Sequence, residues 1–519
     1  MTADLHRRRL LTGAAALSLY ASLSQPLTGC ATAQPRFDAD PFSLGVASGS
    51  PMPDSVVLWT RLAPQPLVAD GGMPAADINV RWEIAHDQGF RDIARRGTVT
   101  ASHDAAHSVH VVANGLAPGR WYWYRFTAGN AVSPVGRTRT APAADDAAPR
   151  LRYAFASCQH YEQGYYAAYR HMHAEDLDLV VFLGDYIYES SWGRDHVRRY
   201  ATPEPYTLSD YRVRHAQHKS DPDLRRMHAA VPWLVTWDDH EVENDYANDR
   251  SQDLAPDFLA RRAAAYRAFY EHMPLRPSAA PKGAAMRLYD RTGWGSLAEF
   301  FVLDDRQYRD YTVCPRPKRA GSNVVSDADC PQRLDPRRSL LGAAQEQWLH
   351  QGLATSRARW NLIAQQTLMA QFDRTAGPGL SVWTDGWDGY PAARKRLLDL
   401  LATRVVANPV VIGGDVHCTW IADLKPDFDD PRTPVVATEF CGTSITSQGA
   451  SEKQVAAVLD ENPHIRFGGP RRGYLRMDVT PAHATVTVRA LDNEKHPDSG
   501  MFTLAAYAVE NGQPGAQRA

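Results

Sequence analysis

Side chains that can bind a metal ion follow four apolar segments of the sequence: YAFASCQH, VVFLGDYIY, WLVTWDDHEVEN and VVIGGDVH. In chain order these side chains are Cys158, Gln159, His160, Asp185, Tyr188, Asp238, Asp239, His240, Asn244, Asp415 and His417. Taken singly, each has an ordinary structural explanation, since an aspartate can cap a helix and a cysteine can pack as a small apolar residue. Carboxylates, imidazoles, a thiol and a phenol buried together would cost much free energy without a compensating charge. The whole set therefore predicts a site for cations.

The chemical types of these side chains indicate which cations would bind. A site built only from thiolates would suggest structural zinc, but oxygen donors dominate here. The thiol of Cys158 and the phenol of Tyr188 suit ferric iron, because a strongly charged ion can hold both groups deprotonated near neutral pH. The remaining carboxylates and Asn244 suit calcium, which prefers oxygen ligands. The sequence thus predicts two or more unlike metals, with His160 and Asp238 open as ligands or as neighbours of ligands.

The elements that must position these side chains fall into two regions. Residues 38–142 contain short apolar runs separated by turns, such as SVVLWTRL, INVRWEIA and RWYWYRFTAG, which predicts an antiparallel β-sandwich. TAPAADDAAPR then has the composition of a linker. Over residues 150–505, apolar strands alternate with helical patterns such as PDFLARRAAAYRAFYEHM, which predicts an α/β core, and the segment from Gly473 predicts a terminal hairpin. Ligands of such folds bind beyond the carboxyl ends of the strands, where the candidate ligands lie.

The composition excludes several classes of protein. With 519 residues, 44% of them hydrophobic and 22% charged, and a formal net charge of -2, the chain is a globular protein without a global charge that would favour nucleic acid or an acidic membrane. Arg7, Arg8 and Arg9, followed by a short apolar segment, predict an export signal of the twin-arginine type over residues 1–33. The segment LTGC resembles a lipoprotein box that would lipidate Cys30, and ordinary signal cleavage is the alternative.

The cysteines fit an oxidising compartment. Cys314 and Cys330 flank a loop-like segment and are the predicted disulfide, whereas a pairing of Cys418 with Cys441 has no local support. Together with the export signal, this predicts an exported protein that is periplasmic or associated with the outer membrane or cell surface, with lipid anchoring through Cys30 left open.

The motifs FASCQ, GDYIYE, TWDDHEVEN, WDGYPAARKRLL and GGDVH, in this order, are similar to those of the PhoD-like alkaline phosphatase and phosphodiesterase family of the calcineurin-like metallophosphoesterase superfamily. The resemblance covers roughly residues 40–500. It implies an α/β fold of the α+β sandwich type, in which two packed sheets flanked by helices follow a fibronectin-III-like β-sandwich domain. It also implies ferric iron and calcium, with Asp185 bridging two ions. The implied metal ligands are Cys158, Asp185, Tyr188, Asp239, Asn244, Asp415 and His417. Asp245 stands where the family pattern would place a second Asn, so Asn244 and Asp245 stay open as ligand and bystander.

The resemblance further implies an exported enzyme that hydrolyses phosphate monoesters, diesters or both with metal-activated water. His240 and Asp185 are the predicted catalytic residues, and His240 would hydrogen-bond the phosphoryl group or donate a proton to the leaving oxygen. A phospholipase D or an extracellular nuclease is the alternative among hydrolases, and a metal-stabilised surface binding protein is the alternative from another class. The expected partners are small-molecule or lipid phosphate esters and the twin-arginine export machinery, with nucleic acid only as a substrate. The protein is expected to act as a monomer.

Overall fold

The structure, a computed structural model, describes residues 35–519. The strands among them are β1 Val46–Met52, β2 Ser55–Arg61, β3 Ile78–Ala85, β4 Ile93–Ala101, β5 Ser108–Asn114, β6 Trp121–Ala128, β7 Ala131–Val132, β8 Gly136–Arg139, β9 Leu151–Ala156, β10 Leu179–Leu183, β11 Pro232–Thr236, β12 Asp290–Trp294, β13 Ala298–Val302, β14 Val324–Ser326, β15 Trp360–Ala364, β16 Ser381–Trp383, β17 Pro409–Gly413, β18 Thr419–Leu424, β19 Ala437–Cys441, β20 Ile465–Gly469, β21 Gly473–Val479, β22 His483–Leu491, β23 Met501–Glu510 and β24 Gln513–Arg518. The α-helices are α1 Ala167–His173, α2 Leu208–Lys219, α3 Pro222–Ala230, α4 Phe258–His272, α5 Gly342–Thr355, α6 Pro391–Ala402 and α7 Glu452–Leu459. The predicted export signal and Cys30 lie outside the described residues.

Two large sheets form the centre of the described chain. The first has ten strands in the order β24-β23-β22-β21-β9-β10-β11-β1-β2-β5, and the second has seven in the order β12-β13-β15-β17-β19-β18-β20. β9, β10 and β11 are parallel neighbours, as are β13, β15, β17 and β19. Parallel strands are covered on both faces, which is why the segments LVVFL, PWLVT and PVVIG are apolar throughout and fully buried.

One apolar core lies between the two large sheets, and the helices cover their outer faces. Phe155 and Val181 of the first sheet contact a cluster that includes Phe300, Leu362 and Ile412 of the second. Side chains of α1, α3 and α4 complete a second core on the outer face of the first sheet, and those of α5 and α6 a third core on the outer face of the second. The described chain is thus a mixed α/β protein in which helices flank two packed sheets.

The N-terminal region shares one of these sheets. β4, β3, β6 and β7 form a separate antiparallel sheet, with β8 paired to β6, and it packs against β1, β2 and β5 through a core that includes Val56, Leu58, Val80 and Tyr122. β1 pairs in parallel with β11, so β1, β2 and β5 extend the ten-stranded sheet. The strand predictions for this region are confirmed, and its division as a separate domain of residues 38–142 stays a prediction.

Several local predictions can be checked directly. β21 and β22 form the predicted antiparallel hairpin, although β23 and β24 continue the sheet beyond it. The predicted disulfide between Cys314 and Cys330 is confirmed. Among the described residues, Cys158, Cys418 and Cys441 are free and buried. Within residues 35–519, no helix combines the length and apolar character needed to cross a membrane.

Candidate metal centre

The candidate ligands follow the strands at a regular distance. Cys158, Asp185, Asp238 and Asp415 each lie two residues after the last residue of β9, β10, β11 and β17. The first three strands are neighbours in the ten-stranded sheet, and β17 belongs to the seven-stranded sheet. An isolated bridge between Ser157 and Ser444 joins the two sheets at this edge. The carboxyl ends of strands from both sheets therefore converge, as the sequence predicts.

The donor atoms of these residues lie close enough to share cations. Within the described residues, four groups have ligand atoms that all lie within 4.8 Å of one another. The groups are Cys158–Asp185–His417, Asp185–Asp239–His240, Asp185–Asp238–Asp415 and Asp239–Asp245–Asp385. Asp185 belongs to three of them and so occupies the position that a ligand shared between two ions requires.

The backbone at the strand ends is left-handed, which is rare for residues other than glycine. The φ angles are 59° at Cys158, 56° at Asp185, 66° at Asp415 and 54° at His417. Each such residue costs on the order of 1 kcal/mol and persists only where the surroundings fix it. At these turns, donor atoms of Cys158, His417 and Asp415 each lie within 4.8 Å of an oxygen of Asp185.

Tyr188 connects the two sides of the cluster. Its hydroxyl donates to Asp185 Oδ2 at 2.8 Å and lies 3.1 Å from His417 Nε2, while Ser447 donates to it at 2.8 Å. Burial, together with the nearby Asp185, raises the pKa of the Tyr188 phenol well above its usual value. The phenol is therefore neutral on its own, and only a cation at this point would favour the phenolate.

His240 is held as a charged group. Its Nδ1 lies 2.7 Å from Glu189 Oε2, and its ring lies 4.1 Å from that of Tyr188. Burial alone would lower the pKa of His240, but Glu189 and Asp239 outweigh it and raise that pKa well above the usual value. Glu189 also accepts the N–H of Asn244 at 3.0 Å. Glu189 is the last residue of the motif GDYIYE, but no role was predicted for it from the sequence.

A buried guanidinium lies behind the carboxylates. Arg306 donates to Asp238 Oδ1 and to Asp385 Oδ1, the latter at 2.8 Å, and its Nη2 lies 3.5 Å from Asp239 Oδ1. Burial raises the pKa of Asp239, but Arg306 and His240 outweigh it and lower that pKa to about 2. Arg309 also pairs with Asp385, at 2.9 Å. Both arginines are fully buried.

Glu241 fixes the geometry of the loops that carry the ligands. Its carboxylate accepts the backbone N–H groups of Asp185, Tyr186 and Asp238, at 3.1, 2.5 and 2.8 Å. One buried side chain thereby ties the loop after β10 to the loop after β11. Apart from the position of Glu241 beside the predicted ligands, nothing in the residue pattern indicates this role.

The donors fit a cation because two buried oxygen atoms among them have no other partner. Within the described chain, Asp185 Oδ1 and Asp238 Oδ2 are buried without a hydrogen bond. Burial, and then the neighbouring carboxylates, raises the pKa of both Cys158 and Asp415 well above the usual values. Cations among these groups would remove that penalty, because they favour the deprotonated forms.

The cluster forms the floor of a polar cavity with a volume of about 730 Å³. Asp239, His240, Asn244, Asp415 and His417 line this cavity, which we call the metal-centre cavity. The buried side chains of Cys158, Asp185 and Tyr188 lie beneath it. All the predicted ligands are therefore brought together at one site. His160 lies apart from the four groups, with its ring packed 4.6 Å from that of Tyr188.

Two acidic residues extend the predicted set. The role of Asp245 as ligand or bystander was left open from the sequence. Its carboxylate accepts hydrogen bonds from the backbone N–H and the hydroxyl of Ser322, at 2.9 and 2.5 Å. It belongs to the same group of potential metal ligands as Asp239 and Asp385. Asp385 follows the short strand β16 and was not predicted. A three-residue strand gives little apolar pattern, so the sequence offered no strand end to search there.

A mixed α/β fold with oxygen, nitrogen and sulfur donors gathered at the strand ends beneath a polar cavity is the architecture of a metal-dependent hydrolase. The family description "PhoD-like phosphatase" matches residues 153–488, and "PhoD-like phosphatase, N-terminal domain" matches residues 29–142. The chain belongs to the PhoD-like phosphatase family and is a phosphoric ester hydrolase.

The chain is also similar to individual members of this family. It is 46% identical to alkaline phosphatase D of Bacillus subtilis (strain 168) over 531 aligned positions, which cover 99% of this chain and 89% of that protein. A solved structure titled "Structure of PhoD" matches with a TM-score of 0.88 and 46% identity, covering 93% of each chain. The similarity thus extends over the N-terminal region as well as the metal centre.

Proposed function

We propose that the chain is an exported, metal-dependent hydrolase of phosphate monoesters and diesters. The observation that carries the proposal is the position of the predicted ligands around the floor of the metal-centre cavity. The cavity has a volume of about 730 Å³, which is enough for a substrate, and the imidazole of His240, whose pKa is raised by Glu189 and Asp239, lines it beside the donor cluster. A site that only held loops together would need neither the open face nor the charged donor.

We assign the donors to two kinds of cation. Cys158, Asp185, Tyr188 and His417 would hold ferric iron, because they include the thiol and the phenol. Asp239, Asn244 and Asp415 would hold calcium, with Asp185 shared between the ions. When bound, such cations supply a lowered pKa for water and charge that stabilises the phosphoryl oxygens.

His240 would act on the substrate directly. Glu189 accepts from Nδ1, so the hydrogen on Nε2 is left to donate to a phosphoryl oxygen or to the leaving oxygen. Asp185 would act by holding the cations, and Arg306 by keeping Asp239 ionised. Glu241 holds the two ligand loops at a fixed separation, which is the positioning that phosphoryl transfer requires.

The same proposal includes export by the twin-arginine machinery, lipid anchoring through Cys30, a periplasmic or surface location and a monomeric state. It also includes a fibronectin-III-like N-terminal sandwich and a division into residues 38–142 and 150–505. The separate matches of residues 29–142 and 153–488 support this division, and the sequence pattern of the N-terminal segment supports export.

The replacement Asp185→Asn tests the proposed site. We expect the variant to lose hydrolysis of p-nitrophenyl phosphate and bis(p-nitrophenyl) phosphate, and to lose bound iron and calcium in elemental analysis, because a shared ligand is removed. Asp178→Asn is the matched control, since Asp178 is equally buried but pairs with Arg139 away from the cavity. If the Asp185→Asn variant keeps its full metal content and normal turnover, the assignment of Asp185 as a metal ligand is wrong.

A further inference from the structure

A second, apolar cavity of about 370 Å³ adjoins the metal centre. We call it the tryptophan pocket, and its apolar and aromatic walls are Leu368, Phe372, Trp383, Trp387, Val416, Trp420, Val455 and Val458. The rings of Phe372 and Trp420 lie 4.9 Å apart at 59° and form one wall. Its size falls within the range of small-molecule sites, and such sites are typically lined by apolar and aromatic side chains.

The tryptophan pocket adjoins the metal-centre cavity and shares part of its lining. Arg374, Trp383 and Val416 line both cavities. Val416 lies between the candidate ligands Asp415 and His417, so the wall that separates the two cavities is also the segment that carries the metal ligands. A molecule that binds at the metal centre therefore has an apolar pocket beside it, on the other side of Val416.

Arg374 lies at the junction of the two cavities, and its charge is not paired with a carboxylate of the described residues. Among residues 35–519 its guanidinium makes no hydrogen bond or ion pair, although it lines both cavities. A guanidinium is suited to phosphoryl and ester oxygens because it can donate two parallel hydrogen bonds. Its position thus fits a ligand that is anionic at the metals and apolar beyond them.

We propose that the tryptophan pocket binds the apolar group of a phosphate ester, a single alkyl chain or one aryl ring, whose phosphoryl group lies at the metal centre. This inference rests on the proposed function and deepens it by naming the class of ester. Arg374 would contact the oxygens at the point where the apolar group joins the phosphate.

The size of the tryptophan pocket limits its occupant. A cavity of about 150 Å³ holds one benzene molecule, so a cavity of 370 Å³ has room for one substituted ring or one short chain. Both acyl chains of a membrane phospholipid would not fit. The pocket therefore selects small esters with one apolar group rather than the lipid part of a bilayer.

Alkylphosphonates of increasing length are the probe for this pocket, because each carries one anionic and one apolar end. We expect the inhibition constant against p-nitrophenyl phosphate hydrolysis by the metal-loaded enzyme to fall about fourfold per methylene from methyl to hexyl. Inorganic phosphate is the reference without an apolar group. Titration calorimetry should give the same order of affinities without turnover, with a more negative heat capacity change for the longer chains.

Helix α7 offers a matched pair of variants. Ala457 lines the tryptophan pocket, whereas its neighbour Ala456 does not, and both are exposed. Ala457→Phe should fill the pocket and abolish the dependence of inhibition on chain length, so that hexylphosphonate inhibits no better than methylphosphonate. Ala456→Phe should keep the full dependence, which excludes a general effect of added bulk on the helix.

The outcomes separate the two proposals. If the enzyme hydrolyses its substrate but chain length has no effect on inhibition, or if Ala457→Phe leaves the effect intact, the pocket assignment is overturned and the proposed function stands. If the metal-loaded enzyme hydrolyses neither a monoester nor a diester and inorganic phosphate does not bind, the proposed function fails and the pocket assignment falls with it.

Discussion

Arg306→Met tests whether the buried guanidinium holds the carboxylates of the metal centre in their ionised form. Methionine is also long and unbranched but carries no charge. The change leaves Asp238 without its buried positive neighbour, Asp239 with His240 alone and Asp385 with Arg309 alone. We therefore expect a large loss of stability in the metal-free protein.

The structure sets the magnitude of this loss. Arg306 and its three partners are at most 3% exposed, and removing one partner of a buried ion pair costs about 3–5 kcal/mol. At about 2.1 cal/mol/K of unfolding entropy per residue, a chain of this length loses on the order of 1 °C of Tm per kcal/mol. The Tm should thus fall by about 3–5 °C. The pKa of Asp239, which Arg306 helps to lower to about 2, should rise.

The assay is thermal unfolding at pH 8 after treatment with a chelator, with Arg309→Met as the control. Arg309 pairs with Asp385 alone among the described carboxylates, at 2.9 Å, and Asp385 keeps Arg306 as a partner when Arg309 is replaced, so the change should cost only about 1–3 kcal/mol. Added calcium should narrow the difference between Arg306→Met and the wild type, because the cation replaces the missing charge. Equal losses in the two variants, or an Arg306→Met protein as stable as the wild type without metal, would refute this reasoning.

Two further predictions follow from the buried groups. Tyr188→Phe should abolish the visible absorption of an iron phenolate, because Tyr188 is the phenol that contacts Asp185, and absorption that persists would assign the phenolate to another tyrosine. Lys219→Met should stabilise the protein increasingly as the pH falls from about 10 to about 7, by about 1.4 kcal/mol per pH unit, and not further below it. The reason is that burial lowers the pKa of Lys219 to about 7, so the unfolded chain takes up a proton in this range that the folded chain does not. Unfolding curves at pH 7 and 9.5 check this, and a constant difference between variant and wild type would contradict it.

Local pattern was sufficient to predict most of the strands, but it did not predict which strands pair. The segments that became β2, β3, β6, β10, β11 and β17 are apolar runs bounded by turns, and each formed a strand. The parallel pairing of β1 with β11 joins residues far apart in sequence, such as Ser48 and Pro232, and no local residue pattern predicts it. The same holds for β23 and β24, whose partly exposed residues alternate weakly and owe their order to pairing with β22 and with each other.

The candidate site was predictable to the extent that its ligands follow apolar strands. Asp185 and Asp415 could be predicted as ligands because each follows a buried apolar strand. The carboxyl ends of parallel strands lie at the same edge of a sheet, so residues that follow them come close together. Glu189 and Glu241 were missed as contributors because their roles are hydrogen bonds to His240 and to backbone groups of a neighbouring loop. Such contacts depend on the three-dimensional course of the loops, which residue types alone do not specify.

The charge balance of the cluster explains why these residues need a ligand to coexist. Within the described chain, the carboxylates that share the four donor groups belong to Asp185, Asp238, Asp239, Asp245, Asp385 and Asp415. Arg306 contacts three of these groups, and Arg309 contacts one of the same three. The carboxylates nearest Cys158 therefore rely on protonation or on cations, because burial, together with the neighbouring carboxylates, raises their pKa values. The ionised forms of these ligands are favoured only when the cations are present. Metal binding should therefore increase the free energy of unfolding, and metal removal should decrease it.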